Sequence, residues 1–174
     1  MIENHKLILI AAVDKNWAIG KDNQLLYHIP TDMKFFKEKT KNNIVLYGRK
    51  TLQSFPNSKS LPYRDNIVLT TSDISPQNNL LVAHSIEDTI EIIKSFNDNR
   101  DVFICGGSSI YSQYVDMCDY AFITKIDAET PNATNFMVNL DKKEKWEEIL
   151  RMEPIFDEKS KLNIVFATYQ NCLS

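Results

Sequence analysis

The chain has 174 residues, 43% hydrophobic and 25% charged, with a formal net charge of −3. That length fits one domain with a sizeable core, and the acidic balance argues against a nucleic-acid-binding protein, which carries a basic face. Cys105, Cys118 and Cys172 are scattered and show no C-x-x-C spacing, which argues against a disulfide framework and a structural zinc motif and points to reduced thiols in the cytoplasm.

In chain order, Leu7 to Val13 is near-continuously apolar. This suits a central strand buried on both faces, and the run is too short to span a bilayer, so no membrane association is expected. Asp14 to Tyr27 reads as a long polar connection carrying Trp17, Ile19 and Gly20, of a length often used for lids. Pro30-Thr31-Asp32 starts a helix, with proline tolerated in the first turn, an acid near the positive end of the dipole, and Met33, Phe35 and Phe36 on an apolar side. Further strands are expected over 43–47, 66–70, 80–84, 102–105 and 120–126. Ser85-Ile86-Glu87-Asp88 resembles a capping box opening a helix that runs to Phe96, and a second short helix covers 108–115. After Asp127, residues 146–156 and 162–170 read as a long antiparallel pair. The expected fold is a single α/β domain over 1–174. It has a mixed, mainly parallel twisted sheet of about eight strands, a closing antiparallel C-terminal hairpin and about four flanking helices.

Only four glycines occur, Gly20, Gly48, Gly106 and Gly107, where average usage gives roughly twelve. Ile44-Val45-Leu46-Tyr47 leads into Gly48-Arg49-Lys50-Thr51, and Val102-Phe103-Ile104-Cys105 leads into Gly106-Gly107-Ser108-Ser109. A strand, a glycine and then a helix start present free backbone N–H groups to a phosphate, so a nucleotide cofactor is expected. The spacing is not G-x-G-x-x-G, so an ordinary dinucleotide fold is not implied. His5, His28 and His84 form no cluster, and neither a metal site nor a hydrolase triad stands out.

Seven blocks in the same order resemble the dihydrofolate reductase family nearly end to end. They are Leu9-Ile10-Ala11-Ala12, residues 17–23 (WAIGKDN), residues 29–36 (IPTDMKFF), Gly48-Arg49-Lys50-Thr51, residues 61–67 (LPYRDNI), Cys105-Gly106-Gly107 with Tyr111, and Thr124-Lys125-Ile126-Asp127-Ala128. The resemblance implies NADPH-dependent reduction of 7,8-dihydrofolate to tetrahydrofolate by a cytoplasmic monomer, with antifolates as further ligands. It implies that Asp32 binds the pterin and favours protonation at N5, that Thr124 orients that carboxylate, and that Tyr27 stands at the catalytic position where the family's tryptophan helps hold an active-site water, its phenol hydrogen-bonding from a different distance. Substrate contacts are expected from Ile10, Ala11, Leu25, Met33, Phe36, Phe55, Leu61, Cys105 and Tyr111, with Arg64 on the glutamate α-carboxylate. For the cofactor it implies Ala12, Ile19, Gly20 and Asn23 near the nicotinamide end. Gly48 to Thr51 and Gly106 to Ser109, with Ile110, Tyr111 and Gln113, would serve the pyrophosphate. Leu69, Thr70, Thr71, His84 and Thr134, with Arg49 and Lys50, and Cys105 at the pterin–nicotinamide junction, complete the cofactor set. In the family the peptide between the paired glycines is cis.

The chain also departs from the family pattern. Tyr27 stands where tryptophan is usual, Leu26 where proline is common, Tyr47 where methionine is frequent, and Cys105 where a larger apolar residue is usual. Ala133 falls near the place where some members carry an acid bracing the closing loop. The changes at Tyr27 and Cys105 lead us to expect intact catalysis with altered affinity for diaminopyrimidine antifolates. Two alternatives stay open at this point: a same-fold pyrimidine reductase of riboflavin synthesis, which need not keep Asp32, Phe36 and Arg64 together, and a non-catalytic NADPH-binding sensor.

Overall fold

The computed structural model describes residues 1–22 and 24–172. Its first strand, β1 (Leu7–Val13), is followed by two short strands, β2 (Ala18–Lys21) and β3 (Gln24–Leu25), and by helix α1 (Pro30–Thr40). Then come β4 (Ile44–Gly48), α2 (Arg49–Ser54), β5 (Asp65–Leu69), β6 (Leu80–Ala83), α3 (Ile86–Ser95), β7 (Val102–Ile104) and α4 (Ser108–Tyr114). The chain closes with β8 (Tyr120–Ile126), β9 (Asn135–Phe136), β10 (Trp146–Arg151), β11 (Ile155–Asp157) and β12 (Leu162–Asn171).

The main sheet runs β10-β12-β8-β1-β7-β4-β5-β6, with β11 also on β12. From β8 to β6 every pairing is parallel, while β12 is antiparallel to β8, β10 and β11. β1 shows why the centre holds. Leu7, Leu9, Ala11 and Val13 enter one apolar cluster while Ile8 and Ile10 enter the other, so the period-2 alternation of a strand fills both faces.

Two expectations are corrected. The connection after β1 is not wholly irregular, because β2 and β3 pair and β9 joins them as a separate three-stranded sheet. Residues 146–156 are not one strand either. The ladder breaks at Met152-Glu153-Pro154, where proline has no N–H to donate, and β10 and β11 pair separately with β12. α3 starts as expected: Ser85 Oγ accepts from Asp88 N at 3.0 Å, and Asp88 Oδ2 accepts from His84 N at 2.9 Å.

With glycine scarce, turns take other residues into the left-handed region. Asn42, Asn57, Asn79, Asn132 and Lys145 all have positive φ.

Candidate active site

β1, β7, β4 and β5 run parallel, so their carboxyl ends open on one side of the sheet, where α/β folds place ligands. A cleft of about 560 Å³ lies there. Its walls include Ala11 and Ala12 from β1, Gly48 from β4, Leu69 from β5 and Cys105 after β7, together with Arg49, Lys50 and Thr51 of α2. Ser108, Ser109, Ile110, Tyr111 and Gln113 of α4, preceded by Gly107, form another side. Ile19, Gly20 and Leu25 come over from the small sheet, and Thr70, Thr71 and His84 close the far end. These expected residues therefore meet in one place. Gln24, Ser54, Ser72, Ser85, Ile86 and Asn135 also line the cleft and were not anticipated. Adjacency to expected residues was the only signal for Ser72 and Ser85.

The two glycine turns are joined directly, Gly48 N donating to Gly106 O at 2.9 Å. The Gly106–Gly107 peptide is cis. Gly106 has φ of 94°, and a Cβ there would sit 2.8 Å from the Tyr111 ring, so protein packing forbids a side chain. Gly107 differs, because a Cβ there would meet only Thr51 Oγ1, at 4.0 Å. Space at Gly107 is open on the cleft, as a diphosphate needs for close approach to the backbone. Neither α2 nor α4 has a side chain capping its first N–H groups. Arg49 Nη1 donates to Ser72 Oγ at 2.8 Å and has no ion-pair partner among the described residues. His84 Nδ1 lies 2.7 Å from Thr70 O, which assigns the proton to Nδ1 and leaves Nε2 free. Uncapped amides, a guanidinium, a lysine and hydroxyls form a donor set that fits a dinucleotide carrying an additional ribose phosphate.

The acid lies across β1 from the glycine turns. Ala12, on the cleft wall, pairs in register with Thr124 of β8, and Thr124 pairs on its other side with Phe166 of β12. Thr124 Oγ1 donates to Asp32 Oδ1 at 2.6 Å. Oδ2 has no protein partner among the described residues. Burial pushes the Asp32 carboxyl above its ordinary range, opposed by the Thr124 hydrogen bond. Tyr111 is buried against the same region. Its hydroxyl donates to Ile10 O at 2.7 Å, and burial, reinforced by the neighbouring Cys105 and Asp32, holds it protonated. Tyr111 therefore contributes its ring to the cleft rather than a free hydroxyl.

Ile10, Phe36, Phe55, Leu61 and Cys105 share a second apolar cluster, and Met33 stands exposed on α1. Cys105 belongs to this wall and to the cleft alike. Cys105 is half-buried; its thiol donates to Phe103 O at 3.4 Å, and desolvation pushes it far above the usual thiol range. Arg64, 7% exposed, does not line the cleft and borders a separate shallow pocket with Asn42, Tyr63, Asp65, Asn79 and Arg100. It donates to Thr40 Oγ1 at 2.8 Å, to Pro62 O and to Lys37 O, and no acid pairs with it among the described residues. A guanidinium buried without a counter-ion is costly unless a ligand supplies one.

Tyr27 directs its hydroxyl to Thr130 Oγ1 at 2.8 Å and Glu129 O at 3.4 Å, across to the loop after β8. Two expected residues are placed differently. Thr134 is not on the cleft wall. Its Oγ1 accepts from Asp22 N at 3.1 Å and its N donates to Gly20 O at 3.2 Å, so it braces the loop beside Ala133, and its neighbour Asn135 faces the cleft instead. Gly106 lies behind Tyr111 and Gly107 alone reaches the cleft. Asn23 lies outside the described residues.

Sequence reasoning also missed Asp157. Its Oδ1 accepts from Thr31 N at 3.1 Å and Thr31 Oγ1 at 2.5 Å, and its Oδ2 from Ser160 N at 2.7 Å. These donors hold its carboxyl well below the ordinary carboxylate range. Ile29, at the cap position of α1, offers no side-chain cap, so an acid from 126 residues away does that work at the turn carrying Asp32.

Comparison with known proteins gives a consistent picture. The family model described as dihydrofolate reductase matches residues 6–171. A dihydrofolate reductase of Staphylococcus haemolyticus is 35% identical over 166 residues, covering 95% of each chain. One of Bacillus subtilis is 31% identical over 161 residues, covering 92% of each. The solved structure of dihydrofolate reductase from Enterococcus faecalis, complexed with NADP(H) and RAB-propyl, superposes with a TM-score of 0.82 at 32% identity, covering 95% of each chain.

Proposed function

The chain belongs to the dihydrofolate reductase family, and on that premise we propose how its own side chains divide the reaction. It is an NADPH-dependent oxidoreductase that reduces 7,8-dihydrofolate to 5,6,7,8-tetrahydrofolate. The single observation that carries the assignment of roles is the half-buried Asp32, fixed by Thr124 at 2.6 Å with its second oxygen unpartnered.

Asp32 accepts hydrogen bonds from the pterin 2-amino group and its neighbouring ring nitrogen, a two-point, charge-assisted recognition. Its raised pKa keeps a proton within reach and favours protonation at N5. Thr124 fixes which way the carboxylate faces. Phe36, Phe55, Leu61 and Met33 flank the p-aminobenzoyl ring, and Arg64 supplies the charge that matches the glutamate α-carboxylate. Gly107, Arg49, Lys50, Thr51, Ser108 and Ser109 hold the cofactor's phosphates, with Thr70, Thr71, Ser72 and His84 at its adenosine end. When bound, NADPH supplies the hydride. Ile19, Gly20 and Leu25 cover the reacting face and exclude water. A main sheet that takes strands from both ends of the chain, β1 through β12, with only β2, β3 and β9 apart, supports reading 1–174 as one domain. No described helix is long and apolar enough to cross a membrane. The scattered cysteines, free among the described residues, support a reducing, cytoplasmic location.

The same pocket takes antifolates, and Cys105, small where both walls meet, alters affinity for diaminopyrimidines. Inhibition constants unchanged by Cys105→Ile would overturn that point. Retention of Asp32, Phe36 and Arg64 together disfavours the pyrimidine reductase and sensor readings.

The test is NADPH oxidation with dihydrofolate, run beside Asp32→Asn. Turnover that collapses in the variant at neutral pH while NADPH binding persists is the expected result. Turnover indifferent to the change would move the proton chemistry away from Asp32.

A further inference from the structure

Tyr47 is wholly buried on β4, inside the apolar cluster that also contains Phe55 and Leu61. Its ring meets Phe55 edge-on, centroids 5.1 Å apart at 84°. A phenol in such surroundings is costly unless its hydroxyl is used. Here it donates to Asn66 Oδ1 at 2.8 Å, and burial holds it protonated as a donor.

Asn66, on β5 and equally buried, turns all of its side-chain groups to one short segment. Oδ1 also accepts from Leu61 N at 2.9 Å, and Nδ2 donates to Leu61 O at 2.9 Å and Arg64 O at 3.1 Å. Asn79 doubles the attachment from outside, donating to Leu61 O at 2.9 Å and Arg64 O at 2.8 Å. Leu61-Pro62-Tyr63-Arg64 lies in no helix or strand, and Tyr63 has a φ of 58°. With no ladder to hold it, its two ends, Leu61 and Arg64, rest on these amides, while between them Tyr63 O accepts from Asn42 N at 2.8 Å. The Tyr47 hydroxyl in turn fixes the amide of Asn66, because a carboxamide with both oxygen lone pairs engaged cannot flip or tilt.

We infer that Tyr47 is a positioning residue for the p-aminobenzoylglutamate part of the substrate, acting through Asn66 on the segment that presents Leu61 and Arg64. Tyr47 does not line the cleft. The inference rests on the proposed role of Arg64, so the experiment separates the two.

Tyr47→Phe keeps the ring and its packing and removes only the hydroxyl. It is assayed with dihydrofolate and with 6-methyl-7,8-dihydropterin, which lacks the p-aminobenzoylglutamate, alongside Arg64→Leu. In Tyr47→Phe the KM for dihydrofolate rises about fivefold, the ratio expected for one neutral hydrogen bond. The kcat, the KM for NADPH and the KM for the truncated pterin stay at wild-type values. An unchanged KM for dihydrofolate, an equal rise for both pterins, or a fall in kcat instead overturns the inference. Arg64→Leu raises the KM for dihydrofolate alone. If it raises both KM values equally, the tail role of Arg64 falls and takes the inference with it. If Arg64→Leu discriminates and Tyr47→Phe does not, only the inference falls.

Discussion

Asp157 and Asp32 both sit at the first turn of α1, yet they are held in opposite ways. Asp157 accepts from Thr31 N, Thr31 Oγ1 and Ser160 N, and its carboxyl titrates well below the ordinary range. Asp32 receives one hydrogen bond, from Thr124, and burial drives its carboxyl upward. Donor supply decides the difference. A carboxylate saturated by protein donors belongs to the fold, whereas one left short of donors in a partly buried place keeps its capacity for a ligand and a proton.

Replacing Asp32 tests that contrast most severely. Asp32→Asn should lower kcat at neutral pH by about 10²–10⁴-fold, the range for a lost proton-transfer group, with residual turnover climbing as pH falls and solvent protonates the substrate directly. Because the folded pKa is raised, Asp32 contributes stability at low pH that is lost as pH rises through that pKa. The Asn variant should therefore melt higher than the parent at neutral pH and lose that advantage in acid. A variant that is inactive and also less stable at neutral pH would contradict the contrast.

Thr124→Val removes the one donor Asp32 has. The apparent pKa of the pH–rate profile should move up, with kcat at neutral pH reduced roughly tenfold. An unmoved profile would mean that Thr124 does not tune Asp32. For Asp157→Asn the signs reverse. Its depressed pKa contributes stability above the ordinary carboxylate range that is lost as pH falls through the folded value. Melting at pH 7 should drop by roughly 2–6 °C, as for a lost helix cap, and the deficit should shrink toward acid. A deficit that stays constant with pH would assign Asp157 to packing alone. The smallest effect is expected from Tyr27→Phe, whose hydroxyl serves Thr130. Its kcat should stay within about twofold of the parent, and a larger fall would place Tyr27 in the catalytic set.

The same contrast explains what the sequence could and could not convey. β1 and the strand-to-glycine turns at Gly48 and Gly106 were readable because burial on both faces and helix starts are local patterns. Asp32, Thr124 and Arg64 were named through the family blocks, and the structure joins the first two directly. Strands of two residues, such as β3 and β9, carry no periodicity to detect. Asp157 reaching Thr31, and Tyr47 reaching Leu61 through Asn66, depend on which strands become neighbours. The contact of Tyr27 with Thr130 was hidden for the same reason, since the two lie 103 residues apart.

The turns built without glycine leave the molecule room for drift. Lys145, exposed and with φ of 75°, lacks the short polar side chain that lets asparagine settle in the left-handed region. Such a residue holds about 1 kcal/mol or more of unfavourable backbone energy. A glycine there would relieve it, offset in part by the greater freedom of the unfolded chain. Stability is thus adjustable in surface turns remote from the cleft, so the protein can absorb a damaging change in its active site by repairing a bend elsewhere.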